Sequence, residues 1–572
     1  MGTIISKAKG KSGKLYWYYV ESARVNGQPR IVRQNYLGPA EKVAAAVNRN
    51  CSPTPLSATA QAWGLPGALW LAAVDSGLWD CLQALWPPPR KASPGIAHYV
   101  LLSAIQRVCQ PGPKTEIQAW YAKSVLNSIW ALNSSRFTSQ DFWDAFDRIE
   151  LDGGRFSHGE LTELQIRMLR LWREHNLLGA SVLAYDATNF YTYIDTKNAR
   201  CTLAQRGHNK QGRHNLRQIG LAYLMDASSG MGIFHDCYPG NRTDAEEFVV
   251  SLPRIEQFLD AAQIPRDQVT LVFDKGSTHL LGSLELARGR LNWIGAVPWN
   301  QAPQAVRSLP MERFSAATSD LPGVRWAQAT GLVHGQQRRC IVMHSSVFEA
   351  QQLHSLMDSI AKACAKLKAL SRELANPTRR PRKQQSVRRR INSILAGQWL
   401  KDLIEVTLEQ PQPPRWSLQF SVNNSQLSEL ITFRLGRTVL STTREDWEPL
   451  QIVRAYHGQG LIERSFRSMK DGEGATWGPA YHWTDSKLRV HCFCCMLGAS
   501  LLNWLHGKVR AANLAMTKEQ MLKELDALQQ IVLLYPSEGR SGPKPTATVD
   551  TRETLDQVRL IELFALQRLK GR

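Results

Sequence analysis

Two stretches of the chain are apolar over almost a full strand length, and each closes on an aspartate: Ala180-Ser-Val-Leu-Ala-Tyr-Asp186 and Val269-Thr-Leu-Val-Phe-Asp274. Runs that do not alternate with polar residues suit strands buried on both faces of a mixed or parallel sheet. An aspartate at the carboxyl end of such a strand stands at the rim, where α/β sheets place their ligands. Between the two runs, the pattern predicts strands over Ile219–Met225 and Gly232–Cys237, joined by the turn residues Asp226-Ala-Ser-Ser-Gly. Pro239-Gly-Asn241-Arg-Thr243-Asp244 then leads into a helix from about Ala245 to Ala262, with Asn241, Thr243 or Asp244 as its cap or first-turn acid.

The flanking patterns differ. Near the N-terminus, Leu15–Ser22 and Ile31–Leu37 are β-prone around Asn26-Gly27, which predicts a hairpin. From about Ser57 to Asn176 the period is helical. Pro87-Pro-Pro89, Pro94-Gly95 and Pro111-Gly-Pro113 separate short helices, and Thr138-Ser-Gln-Asp141 starts one with Phe142, Phe146 and Ile149 on one face. Between 299 and 450 the pattern changes to short β-like segments (Val324–Thr330, Arg338–Ser345, Trp416–Phe420, Thr432–Leu435) around a long helical stretch. Val490–Leu505 is an apolar run of 16 residues, short of the roughly 20 that a membrane span requires, and reads as a buried core helix. The tail from about Ala511 reads as a helix, a Ser541-Gly-Pro-Lys-Pro linker and a mixed-charge helix suited to oligomerisation.

A further helix is predicted over the second half of Arg454-Ala-Tyr-His-Gly-Gln-Gly-Leu-Ile-Glu-Arg-Ser-Phe-Arg-Ser-Met-Lys470. At about 100° per residue, Glu463, Arg467 and Lys470 share one face, and Ile462, Phe466 and Met469 form the apolar one. Taken alone, the charged face fits a solvated helix surface. Together with Asp186 and Asp274, Glu463 completes a set of three carboxylates suited to two hard divalent cations about 3.5–4 Å apart, a clamp for phosphodiester chemistry.

Charge strengthens that reading. The 572 residues carry 70 Lys+Arg against 49 Asp+Glu, a net +21, which calls for a polyanionic partner, nucleic acid first. Lys7, Lys9, Lys11, Lys14, Arg24, Arg30 and Arg33 interleave with Tyr16 to Tyr19 in the predicted hairpin, which fits equally a groove-reading ribbon and a small packed sheet. A basic loop carries Arg206, Lys210 and Arg213. Two clusters, Arg379, Arg380, Arg382, Lys383 and then Arg388, Arg389, Arg390, have no acid between them and call for counterions that DNA phosphates could supply. The N-terminus lacks an apolar signal segment, so the expectation is a cytoplasmic, nucleoid-associated protein with no membrane partner. Ten scattered cysteines suggest no disulfide framework, and Cys492-Phe-Cys494-Cys495 beside His491 reads as buried thiols rather than a zinc site. Trp477, Tyr481, His482 and Trp483 suit either loop packing or stacking on an unpaired base.

At these residues the chain resembles a family. Tyr456-x2-Gln459-x3-Glu463-x6-Lys470 is similar to the Tyr-x2-Arg-x3-Glu-x6-Lys signature of bacterial insertion-sequence transposases of the insertion-sequence-four-like superfamily, with Gln459 where the family has arginine. Asp186-Ala-Thr188-Asn-Phe and Phe273-Asp274-Lys-Gly276 resemble its two aspartate motifs.

The resemblance implies an α/β, RNase H-like catalytic core interrupted by a partly β insertion subdomain, preceded by a β-hairpin and a helical DNA-binding region. The implied layout is 1–50 basic hairpin, 51–178 DNA-end binding, 179–298 first part of the core, 299–450 insertion, 451–510 second part of the core and 511–572 helical tail. It implies Asp186, Asp274 and Glu463 as catalytic ligands of two Mg²⁺, with Mn²⁺ as a substitute. DNA contacts are expected from Tyr456, Gln459, Arg467, Lys470 and the basic residues above, with Arg454, Arg464 or Arg467 standing in for the family arginine. The implied partners are double-stranded DNA, both terminal inverted repeats and target, and a second copy of the chain. A silent DNA-binding derivative and a nuclease with the same core are the alternatives.

Overall fold

The computed structural model describes residues 2–8, 13–25, 27–50, 55–89, 93–151, 159–179, 181–207, 212–275, 289, 291–378, 380–472, 474–535, 546–551 and 553–569. Asn26, Lys9, Lys11, Lys210, Gly276, Arg379 and the Ser541–Pro545 linker fall outside the described residues. In chain order the strands are β1 (Gly2–Ala8), β2 (Leu15–Val25), β3 (Gln28–Pro39), β4 (Ser57–Ala62), β5 (Val182–Thr192), β6 (Arg217–Asp226), β7 (Gly232–Pro239) and β8 (Thr270–Phe273). They continue as β9 (Asn292–Val297), β10 (Val324–Val333), β11 (Gln336–Ser345), β12 (Ile404–Gln412), β13 (Arg415–Val422), β14 (Arg437–Thr442), β15 (Gln529–Leu534) and β16 (Thr546–Asp550).

The chain divides into two units. One comprises Met1–Ala62 and Leu528–Glu553. It holds the predicted β2–β3 hairpin, widened by β1 into an antiparallel sheet, and a second three-stranded sheet in the order β16-β15-β4. This second sheet corrects the helical reading of residues 57–62 and the helix-linker-helix reading of the tail. Ser57 pairs with Leu534 and Ala62 with Gln529. Strands paired across so long a separation leave no mark in a local pattern, and the Ser-Ala-Thr-Ala-Gln-Ala sequence of β4 has few β-branched residues to betray it.

The other unit comprises Trp63–Ala527 and Thr554–Arg572. Its centre is an eight-stranded sheet in the order β10-β11-β14-β9-β8-β5-β6-β7. The predicted hairpin β6–β7 pairs antiparallel with β5, whereas β8 and β9 run parallel to it. This mixed order is consistent with an RNase H-like fold at the superfamily level. Every residue of β6 is buried, as expected of a strand covered on both faces.

One face of the sheet is closed by helix Asp244–Ala261, whose Phe248 packs on Tyr185 and Phe273 at ring-centroid distances of 5.2 and 4.8 Å. The opposite face receives helices Pro449–His457 and Gly460–Asp471, with Ile452 and Val453 against Val272 and Ile294, and Phe466 5.9 Å from Tyr223.

The insertion between β9 and β14 has two parts. Strands β10, β11 and β14 extend the core sheet itself. The 30-residue helix Ser346–Ala375, the helix Gln384–Ile394 and the hairpin β12–β13 gather instead around a separate core that includes Leu356, Leu367, Leu370, Val387, Leu403 and Leu418. Thr432–Leu435, read from sequence as β-like, is the end of helix Asn424–Phe433 and the turn after it. The strand begins past Gly436, whose φ of +70° ends the helix.

Helices Gly64–Asp75, Ile96–Cys109 and Ser139–Asp147 pack on helix Asp485–Ala511, and Gly498 is where one backbone comes close to another: a Cβ there would sit 2.8 Å from the Ala104 carbonyl oxygen. Among the described residues Asp485–Ala511 alone is long and apolar enough to cross a membrane by length and composition, and 94% of its most apolar window is buried inside the molecule.

Gly240 lies where β7 turns toward helix Asp244–Ala261. A Cβ there would meet the Gln218 carbonyl oxygen at 1.9 Å, and its own carbonyl accepts from Gln218 Nε2 at 2.7 Å. Gly240→Ala is therefore expected to lower stability by about 1–3 kcal/mol, read as a reduced urea midpoint, because the obstacle is backbone and cannot rotate away.

Candidate active site

Side-chain alternation along β5 sends Tyr185 toward helix Asp244–Ala261, where its hydroxyl donates to Ser251 Oγ at 3.2 Å. Asp186, Thr188 and Phe190 consequently point to the other face, on which helix Gly460–Asp471 packs. The same reasoning turns Asp274, next to the inward Phe273, toward that face.

Asp186 is not at the end of its strand, as the sequence pattern suggested; β5 runs on to Thr192. What ends there is the pairing with β8, whose last register pair is Tyr185 with Phe273. Beyond it β5 is held by β6 alone, with Asp186 opposite Tyr223. The two aspartates are thus the first residues past the last parallel pair, one still in a strand and the other just out of one.

Glu463 lies in the first turn of helix Gly460–Asp471 and Lys470 in its last. The predicted faces hold: Ile462, Phe466 and Met469 are buried, and Glu463, Arg464, Arg467 and Lys470 are exposed. The seven residues from Glu463 to Lys470 rise about 10 Å, comparable to the run of β5 from Asp186 past Thr188. Lys470 Nζ donates to Thr188 Oγ1 and lies 5.6 Å from the Phe190 ring centroid. Tyr456, on the preceding helix, donates its hydroxyl to Asp274 Oδ1 at 3.3 Å.

The electrostatics tie these groups together. The Asp186 carboxyl is pushed up to about 7, first by burial and then by the negative charges of Asp274, Asp244 and Glu463; a hydrogen bond accepted from the Ala187 N–H at 2.8 Å opposes the shift. Burial, with Asp274 next, holds the Tyr456 phenol far above its ordinary value, so it remains a hydrogen-bond donor. Among the described residues no three His, Cys, Asp or Glu side chains are gathered tightly enough to enclose an ion. Asp186, Asp274 and Glu463 share a field without closing on one point. Glu463, exposed on its helix, is the one with rotamer freedom to approach the others.

Asp244 was legible in the sequence as a cap or first-turn acid, and it stands in the first turn of helix Asp244–Ala261. The cap is Thr243, whose hydroxyl accepts from the Glu246 N–H at 3.3 Å, and Asp244 instead accepts from the Tyr238 hydroxyl at 3.1 Å while adding to the field on Asp186.

The expected DNA contacts are dispersed. Gln459, at the family arginine position, is 4% exposed and its Nε2 has no hydrogen-bond partner among the described residues. Arg454 is engaged with Asp320 at 2.7 Å; Arg467 is exposed and makes no ion pair among the described residues. Arg206 is exposed, and Arg213 lies 5.5 Å from the Tyr191 ring centroid. In the insertion, Arg382 and Arg390 converge on Glu373, which supplies an acid that the local sequence did not suggest. Arg380, Lys383, Arg388 and Arg389 are exposed without ion pairs among the described residues. Trp477 and His482 are packed inside, whereas Tyr481 and Trp483 are 60% and 42% exposed. The nine described cysteines are free thiols.

A mixed sheet in this strand order, with two aspartates on one face where the parallel pairing ends, is consistent with an RNase H-like α/β fold at the superfamily level. A family profile described as "Transposase DDE domain" matches residues 178–476, just over half of the chain, and the protein belongs to that family.

No curated protein matched in a sequence comparison. Among solved structures, a piggyBac transposase synaptic complex with hairpin DNA aligns with 81% of this chain and 76% of its own, at 9% identity and a TM-score of 0.34. A Mos1 transposase paired-end complex aligns with 36% of this chain and 58% of its own, at 14% identity and a TM-score of 0.14. These likenesses are too slight to bear on the fold, which rests on the strand order and the family match.

The Asp186 shift has a defined sign. Its folded value of about 7 lies above the unfolded carboxylate value near 3.9, so the folded state holds the extra proton. Its contribution to stability is complete below about pH 4 and is lost as pH rises through about 7. In chelator, Asp186→Asn should therefore be more stable than the wild type at pH 8, by on the order of 2 kcal/mol, with the difference shrinking toward pH 4, as read from urea midpoints.

Proposed function

We propose that this protein is a DNA transposase of the Tyr-Arg-Glu-Lys type that binds the terminal inverted repeats of an insertion sequence, cleaves its ends and joins the 3′ ends to target DNA. The observation that carries the reading is the shared field of Asp186, Asp274 and Glu463 where β5 and β8 part, with Tyr456 and Lys470 bonded at the same place.

The donor set fits two Mg²⁺, or Mn²⁺ in their place. Three carboxylates offer hard oxygen ligands, and the burial that chiefly holds the Asp186 carboxyl up, together with the repulsion of its neighbours, is a cost that a divalent cation offsets. Asp186, Asp274 and Glu463 would hold the ions, which when bound activate an attacking hydroxyl and stabilise the leaving oxygen. Tyr456, kept protonated, positions a phosphate oxygen as a donor. Lys470 supplies a point charge beside the scissile bond, held in line by Thr188 and Phe190. Arg206, Arg213, Arg467 and the free cations of the insertion hold the duplex by its phosphates. Two ends must be joined in one reaction, so the working form is a homodimer on DNA, acting in the cytoplasm at the nucleoid.

A silent DNA-binding protein with the same fold is the second reading. It is favoured by Gln459, a buried amide without a partner among the described residues, where the family signature has arginine.

Labelled terminal-repeat DNA with a target plasmid separates the readings. In Mg²⁺ the wild type should yield cut and joined products. Asp274→Ala and Glu463→Gln should each lose at least about 10³-fold in rate while still binding DNA. Cutting without joined product would select a nuclease, and binding without product from the wild type in both Mg²⁺ and Mn²⁺ would select the silent protein.

A further inference from the structure

Away from the carboxylates, a cavity of about 400 Å³ opens among helices Ile96–Cys109, Lys114–Ala122 and Ser139–Asp147 and the loop before helix Asp485–Ala511. Its walls include Arg107, Lys114, Trp143, Tyr481, His482 and His491. Two of these are buried cations that make no ion pair among the described residues. Lys114, 6% exposed, donates to Ser103 Oγ at 2.9 Å and faces the rings of Phe142 and Phe146 at 5.3 and 5.5 Å. Arg107, 1% exposed, donates to the Gln106 side chain and to the carbonyl oxygens of Gly112 and Gly478, all uncharged acceptors.

One carboxylate stands close, that of the exposed Glu116, whose Oε2 would lie 2.6 Å from a Cβ on Gly112, but it makes no ion pair with Lys114 or Arg107 among the described residues. The rings of His482 and His491 lie 4.4 Å apart, tilted by 55°, and burial together with the neighbouring charges holds both imidazoles neutral, well below the ordinary histidine value. Burial, with Arg107 second, brings the Lys114 ammonium down to about 7. Lys487, 5.4 Å from the Trp143 ring, is already engaged with Asp147 at 2.9 Å. The cavity mouth also lies at the start of helix Lys114–Ala122, where backbone N–H groups carry partial positive charge.

Desolvated positive charge without a counterion is costly, and the ligand that relieves it is an anion. The Lys114 ammonium, with one of its three donors on Ser103, has donors left for an anion with several oxygens, and Arg107 adds its charge beside it while its own donors mostly hold protein oxygens. We propose that this cavity is an anion site that takes a phosphate group, either free inorganic phosphate or a phosphate of a nucleic-acid strand. It is separate from the carboxylate face and does not depend on the reaction proposed there. One line of packed rings connects the two places: His491 meets Trp477 at 4.6 Å, Trp477 stacks on Phe190 at 4.9 Å, and Phe190 carries Lys470 over its ring.

The test is calorimetric titration of the full-length chain with inorganic phosphate, and then with a single-stranded thymidine tetranucleotide in the presence and absence of phosphate. Lys114→Met removes the charge but keeps the volume. Thr115→Glu places a carboxylate at the exposed mouth, in a helix first turn that favours acids, so it keeps the fold even if Lys114→Met does not. The wild type should show one saturable phosphate site, weakened at least about tenfold in either folded variant. Competition between tetranucleotide and phosphate would identify a nucleic-acid strand as the source, and phosphate binding without competition would identify the free ion. Absence of saturable phosphate binding in the wild type, or wild-type affinity in Thr115→Glu, would overturn the proposal.

Discussion

The site depends on where one parallel strand pair stops. Strand β8 is four residues long and leaves β5 at Tyr185–Phe273, while β5 continues for seven more residues on β6. Alternation then decides the rest: Tyr185 and Phe273 go inward to Phe248, and the two aspartates that follow them go together to the opposite face. A one-residue slip between β5 and β8 would send one aspartate into the Phe248 side and leave the other alone. The apolar packing of Tyr185, Phe273 and Phe248 thus keeps the acids in step.

Much of the strong positive charge is committed to architecture. Buried Arg217 donates to the carbonyl oxygens of Ala204, Asp195, Asn198 and Cys201, binding an irregular segment to β6. Arg339 ties the Arg444 and Trp447 carbonyls, and Arg437 those of Leu309 and Thr432. Irregular backbone that is buried must find partners, and a guanidinium offers five donors to oxygens that no strand reaches. The net +21 therefore overstates the charge free to meet a polyanion, which is concentrated instead in exposed residues such as Arg380, Lys383, Arg388 and Arg389.

What the sequence revealed follows from how locally each feature is encoded. The β5, β6, β7 and β8 runs, the helix faces around Glu463 and the buried helix near Val490 were visible because period and burial coincide within a few residues. The pairing of β4 with β15 was hidden because the two lie almost a chain length apart. The acid that balances Arg382 and Arg390 was missed because Glu373 reaches them from the end of another helix. Asp186 was located at the right level but in the wrong context: the apolar run ends where the two-sided burial ends, not where the strand ends. Asp244 showed itself as a cap or first-turn acid, but its bond to Tyr238 is made across the end of β7 and leaves no local mark.

The insertion also orders events in time. Asp186 and Asp274 leave the ribosome long before Glu463, which follows Asp274 by 189 residues. At about 5–20 residues per second, that interval is roughly 10–40 s. During it the nascent chain holds two acids of the trio and lacks the third, and for most of it also lacks the strand, β14, that brings the chain back to the sheet edge at β9. A ribosome-bound fragment that stops short of Glu463 thus presents two of the three acids, and the face that carries them is complete only in a chain that has already been made past its own insertion.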